Sequence, residues 1–267
     1  MSDKKFNIAI LIDGDNAQAK LLKEVIEEVS KYGKATIRRI YGDWTSNSMN
    51  SWKDSLNLHS ISPIQKFAYT KGKNSTDSSM IIDAMDILHG KNIDGFCIVS
   101  SDSDYTGLAK RIREAGLFVM GIGVKQTPEA FVKSCEIFTF TENLIPQKSD
   151  VTINESFISK PTERSELIKT RKGKKSKIEP MKSTETTSLL TIEDEKTINK
   201  AFEISVNVDD TAFISKIGGN IRKIDPSFDP RTYGFSSLSK LFENLPQFEV
   251  IKNEVGGLNH PILKKRM

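Results

Sequence analysis

The 267-residue sequence predicts an α/β fold, a parallel sheet with helices on both faces, followed by a small C-terminal winged helix-turn-helix domain. Short β-compatible runs alternate with helical spacing through the first 145 residues, as in strand–helix–strand crossovers. Gly95–Ser100 is an almost unbroken apolar run, the pattern of a strand covered on both faces. The last part changes design, to three short helical patterns and a hairpin.

In chain order, Phe6–Asp13 reads as the first strand. Ala17–Tyr32 has Leu21, Leu22, Val25, Ile26 and Val29 at helical spacing, stopped by Gly33. Ala35–Tyr41 is β-like, Met49–Leu58 a short helix and Pro63–Tyr69 the third strand. Ser79–Leu88 sets Met80, Ile81, Ala84, Met85 and Leu88 on one side and closes at Gly90. After the strand at 95–100, Tyr105–Ala115 is a helix stopped by Gly116. Phe118–Val124 is a strand, Pro128–Cys135 a helix opened by proline, and Ile137–Phe140 a last strand. In the second block, helices are expected over Glu193–Val206, Phe213–Lys223 and Phe235–Leu245. Strands over Phe248–Lys252 and His260–Lys264 flank Gly256-Gly257.

Charge divides the chain the same way. Residues 1–150 hold 19 Lys/Arg against 19 Asp/Glu, and residues 189–267 hold 11 against 11. Residues 151–188 hold 9 against 5, which is the whole net charge of +4. The expected organisation is therefore a domain over 1–148, a basic flexible linker over 149–190 and a second domain over 191–267. Phe6–Ile12 is too short to span a bilayer, no cleavable leader pattern follows Lys4-Lys5, and Cys97 and Cys135 are too few for a disulfide framework. A soluble cytoplasmic protein without a membrane partner is expected.

In parallel sheets, ligands collect at the carboxyl ends of the strands. Those ends are acidic here: Asp13-Gly14-Asp15-Asn16 follows one strand and Ser101-Asp102-Ser103-Asp104 another, with Thr76-Asp77 before a helix. Capping or turn formation accounts for any one of them. Two strand ends with paired acids are harder to explain so, because carboxylates about 4 Å apart repel by roughly 4 kcal/mol at an effective dielectric near 20. A divalent cation or bound protons would relieve that. Oxygen ligands suit Mg²⁺ or Mn²⁺, and the scattered His59, His89 and His260 do not make a zinc site. Such ions support hydrolysis of phosphate esters. No P-loop occurs, and Gly121-Ile122-Gly123 is a poor dinucleotide fingerprint. A DxD-type phosphatase stays open as a rival, with Asp13 as covalent nucleophile and Asp15 as acid/base.

Taken together, Asp13-Gly14-Asp15-Asn16, the Lys73…Asp77 stretch and Val99-Ser100-Ser101-Asp102-Ser103-Asp104-Tyr105 followed by Leu108 and Gly116 resemble the NYN domain. The likeness covers roughly residues 5–145, where the sequence is similar to the bacterial LabA-like branch of these PIN-like ribonucleases. It implies a Mg²⁺- or Mn²⁺-dependent site whose catalytic and metal-binding acids match Asp13, Asp77, Asp102 and Asp104, with Asn16 nearby; Asn16 and Ser101 are expected to bind substrate. Asp83 matches a further acidic position. However, 77 and 83 lie about 240° apart on an ideal helix, so both reach one site only if the helix begins after Asp77. Asp15 and Asp86 read as structural. The Lys71…Asp77 connection is longer than the usual pattern. The second block, through Ile224-Asp225-Pro226 to Asp229-Pro230-Arg231-Thr232-Tyr233-Gly234-Phe235, resembles the LOTUS/OST-HTH domain, an adaptor for RNA or a protein partner.

Packing accounts for most of the remaining aromatics and basic residues, Trp52 among them. Trp44 and Arg39, with Lys71, are candidates for a substrate groove, and Arg222, Lys223, Arg231, Lys240 and Lys264–Arg266 for contacts of the second domain. The expected function is metal-dependent hydrolysis of RNA, with a C-terminal domain that selects RNA or a protein. Nucleases of this type often pair, so a homodimer is within expectation. The alternative is an RNA-binding scaffold that does not cleave.

Overall fold

The structure is a computed structural model describing residues 6–67, 75–90, 93–145, 190–207, 209–255 and 258–266. The expected basic linker and Lys71 lie outside the described residues. The N-terminal lobe runs β1 (Asn7–Asp13), α1 (Leu22–Ser30), β2 (Lys34–Gly42), α2 (Lys53–His59), β3 (Ser62–Gln65) and α3 (Ser75–Gly90). It continues through β4 (Gly95–Val99), α4 (Thr106–Glu114), β5 (Phe118–Gly123), α5 (Glu129–Ser134) and β6 (Ile137–Phe140). The strands form one parallel sheet in the order β3-β2-β1-β4-β5-β6. Chain order reverses between β1 and β4, so the topological switch point lies at their carboxyl ends.

Alternation along the strands makes two cores. Ile8, Ile10 and Ile12 of β1, with Cys97 and Val99 of β4, pack against Leu22, Val25 and Val29 of α1 and Leu56 of α2. Ala9 and Leu11, with Phe96 and Ile98, pack against Met80, Ala84 and Ile87 of α3, Leu108 and Ile112 of α4, and Phe131 of α5. Trp52 is core, as expected, and donates its indole N–H to the Gly14 carbonyl.

The C-terminal lobe contains α6 (Ile192–Ser205), β7 (Thr211–Phe213), α7 (Ile214–Ile224), α8 (Leu238–Glu243), β8 (Phe248–Ile251), β9 (Glu254–Val255), β10 (Leu258–Asn259) and β11 (Ile262–Lys265). Thr191 and Asp194 form a capping box on α6. Antiparallel β7-β11-β8 closes a third core around Ile198, Phe202, Ile217, Ile221, Phe242 and Phe248. The three-residue β7 is not expected from the sequence, being too short to show a period. Residues 6–145 and 190–266 cluster as one compact unit. Among the described residues, no helix is long and apolar enough to cross a membrane.

Candidate metal centre

Asp13 ends β1 on the face that Ala9 and Leu11 set, and Ser100 follows β4 on the same face as Phe96 and Ile98. The two meet across the switch point. Ser100 Oγ donates to Asp13 Oδ2 at 2.9 Å and accepts the Asp102 N–H at 3.1 Å. Asn16 Nδ2 donates to the same Asp13 oxygen at 2.6 Å, and the Asp15 N–H reaches Oδ1 at 3.3 Å. Glycine at 14 lets the chain pass close to its neighbours there: a Cβ would stand 2.7 Å from the Tyr41 carbonyl oxygen and 2.7 Å from Met49 Cε.

Asp13 is fully buried. Burial pushes its carboxyl above the ordinary range, bonds from Asn16 and Ser100 pull it back, and the charges of Asp77 and Asp15 push it up again.

The other acids come from the start of α3 and from the loop after β4. Asp102 caps the short 3₁₀ turn Ser103–Tyr105, accepting the Asp104 N–H at 2.9 Å. Asp77 stands in the first turn of α3, where the buried Tyr105 hydroxyl donates to it at 2.7 Å. One carboxylate oxygen from each of Asp77, Asp102 and Asp104 lies within 4.8 Å of the others. Partial burial raises the Asp77 carboxyl, the Tyr105 bond lowers it, and the charges of Asp102, Asp104 and Asp15 raise it further. Three carboxylates gathered from two elements with only oxygen donors suit a hard divalent cation.

Of the residues expected from the sequence, Asp77, Asp102 and Asp104 come together. Asp13 stands outside that group of three, with Asn16 bonded to it. Ser101 accepts the Val124 N–H at 2.9 Å, tying the loop to the end of β5. Trp44 packs on the α1-side core and donates its indole N–H to the Ile64 carbonyl at 3.1 Å. Arg39 pairs with Asp83, to which the Tyr41 hydroxyl also donates. α3 begins at Ser75, before Asp77, and not at Ser79, where the helical spacing starts. Asp77 and Asp83 therefore share a helix and face different ways, and Asp83 goes to the arginine. Sequence reasoning misses Tyr105 and Ser100 as the groups that hold the acids. Their positions beside the Asp102–Asp104 cluster are the available signal.

The model of the NYN domain family matches residues 7–144. The chain belongs to the NYN domain family. Behind the NYN domain, the OST-HTH/LOTUS domain model matches residues 188–260. An uncharacterized protein of Methanocaldococcus jannaschii is 27% identical over 122 residues, 44% of this chain and 48% of that protein. The chain thus spans about half the length of the curated relative it matches. A Vibrio parahaemolyticus protein of unknown function resembles it with a TM-score of 0.44 and 19% identity, over 52% of this chain and 94% of that one. An uncharacterized Nitrosomonas europaea protein gives 0.27 and 24%, over 36% and 93%. The NYN domain carries a nuclease-like fold, and its acids stand where that fold gathers ligands.

Proposed function

We propose that this protein is a metal-dependent ribonuclease whose NYN domain hydrolyses RNA phosphodiester bonds and whose OST-HTH domain binds RNA or a protein partner. The observation that carries the reading is the convergence of Asp77, Asp102 and Asp104 beside buried Asp13 at the β1/β4 switch point. Asp77, Asp102 and Asp104 would hold Mg²⁺ or Mn²⁺, since their oxygens are close enough to share one ion. When bound, the ion supplies an activated water and stabilises the leaving oxygen of the phosphodiester. Tyr105 orients Asp77, and Ser100 spans Asp13 and the Asp102 backbone, so two loops keep one relative position. Asp13 adds negative potential to the group from within the fold.

A test is cleavage of single-stranded RNA in Mn²⁺ by the full chain and by Asp77→Asn combined with Asp102→Asn. The variant should lose cleavage while RNA binding stays nearly intact; equal cleavage by both would exclude this centre. A second reading, an RNA-binding scaffold that does not cleave, draws on Asp13, whose two oxygens are already engaged by Asn16, Ser100 and the Asp15 amide. No cleavage by the wild type across metals and RNAs would favour it. The phosphatase reading is poorly supported, because its nucleophile, Asp13, has no solvent-exposed surface.

A further inference from the structure

Glu28 lies on α1 of the NYN lobe with its side chain only 4% exposed. Burying a carboxylate costs several kcal/mol unless charge and hydrogen bonds compensate it. Its own lobe supplies Lys31 Nζ at 2.6 Å, a side chain that is 56% exposed. The rest comes from the OST-HTH lobe. Arg231 sets Nη1 on Glu28 Oε2 and Nη2 on Oε1, each at 2.9 Å, a two-pronged fork. Asp229 takes the Arg231 Nε at 2.9 Å and so aims the guanidinium. Around the fork, the Phe138 amide of β6 donates to the Pro226 carbonyl at 2.9 Å, and Asn143 Nδ2 donates to Thr232 Oγ1 at 2.8 Å. Arg222 stands 6.0 Å from the centre of the Tyr32 ring, beside a cleft of about 290 Å³.

We propose that the Glu28–Arg231 fork is a latch that keeps the OST-HTH lobe seated on the NYN lobe, so that the two move as one body. A buried acid on α1 is well compensated only when the second lobe supplies its guanidinium. Arg231, a candidate contact residue on sequence alone, is thus engaged by the NYN lobe. The seated lobe also covers part of the β6 edge, which would otherwise offer an unpaired amide to another strand. The proposal does not depend on the nuclease reading.

The test measures distance between spin labels on the full chain, attached at Glu114→Cys and Glu203→Cys, both exposed positions. With the latch intact, one narrow distance distribution is expected. Glu28→Gln and Arg231→Gln should each raise the separated population about tenfold or more, the coupling found for close interfacial charge pairs. The double variant should be no worse than the singles. Should Arg231→Gln unfold its own lobe, Glu28→Gln, a near-isosteric change in the other lobe, carries the result. A distribution left narrow by Glu28→Gln, or one already broad in the parent, overturns the latch.

Discussion

Ser100 is a small residue with two obligations, donating to a buried carboxylate and accepting the amide that leads to Asp102. Its replacement by alanine leaves Asp13 short of a buried donor. Ser100→Ala should therefore cost about 1–3 kcal/mol in thermal unfolding, with any cleavage activity falling in step as the Asp102 loop loosens. The acids themselves predict the opposite sign. Asp77, Asp102 and Asp104 repel one another, so in metal-free buffer Asp102→Asn should melt no lower than the parent. Adding Mn²⁺ should then raise the melting temperature of the parent and not of the variant, since an ion held at a hundred times its dissociation constant adds about 2.7 kcal/mol. Equal shifts in both proteins would place the ion elsewhere. The sequence points to these acids as a type, through their place after a strand or at the start of a helix. It does not show that Asp83 is taken by Arg39 and Tyr41, because that pairing depends on a helix and a strand meeting 44 residues apart.

Elements are mostly legible, since the central strands β1, β4 and β5 are apolar and most crossover helices are periodic. The spacing starts α3 too late because Ser75-Thr76-Asp77-Ser78 reads as a polar loop; tertiary packing of Met80, Ala84 and Ile87 carries the helix back through it. The same packing sets tolerances between neighbouring strands. At Gly121 of β5, a Cβ would stand 2.4 Å from the Phe138 ring and 2.9 Å from Cys135 Sγ. Both neighbours are buried and cannot withdraw. Gly121→Ala should destabilise the NYN lobe by about 1–3 kcal/mol, measured by denaturant unfolding, through displacement of β6. An unchanged midpoint would mean that β6 yields freely.

Across the molecule, the least legible feature is the contact of the two lobes. Glu28 and Arg231 are 203 positions apart, and nothing in the sequence pairs them. The contact has a pH signature. Burial pushes the Glu28 carboxyl up, but the bonds from Arg231 and Lys31 and their charges outweigh it and hold it below its ordinary 4.5. A carboxylate lowered in the folded state adds stability above its unfolded value and loses it as pH falls through the folded value. Melting curves of the parent and Glu28→Gln should differ by about 2–3 kcal/mol near neutral pH, less than the 3–5 of a fully buried pair because Arg231 is 30% exposed. The difference should close as the pH drops below 4.5. A gap that persists in acid would assign the stabilisation to shape and not to charge.

Asp13 and Ser100 face each other only because their strands keep a two-residue rhythm in step with Ala9, Leu11, Phe96 and Ile98. A single inserted or deleted residue within β1 or β4 would throw the acid, or its hydroxyl partner, to the far side of the sheet among isoleucines. The geometry of the candidate centre is thus hostage to the length of two short strands. Random indels there should be eliminated far more completely than point changes at the acids themselves.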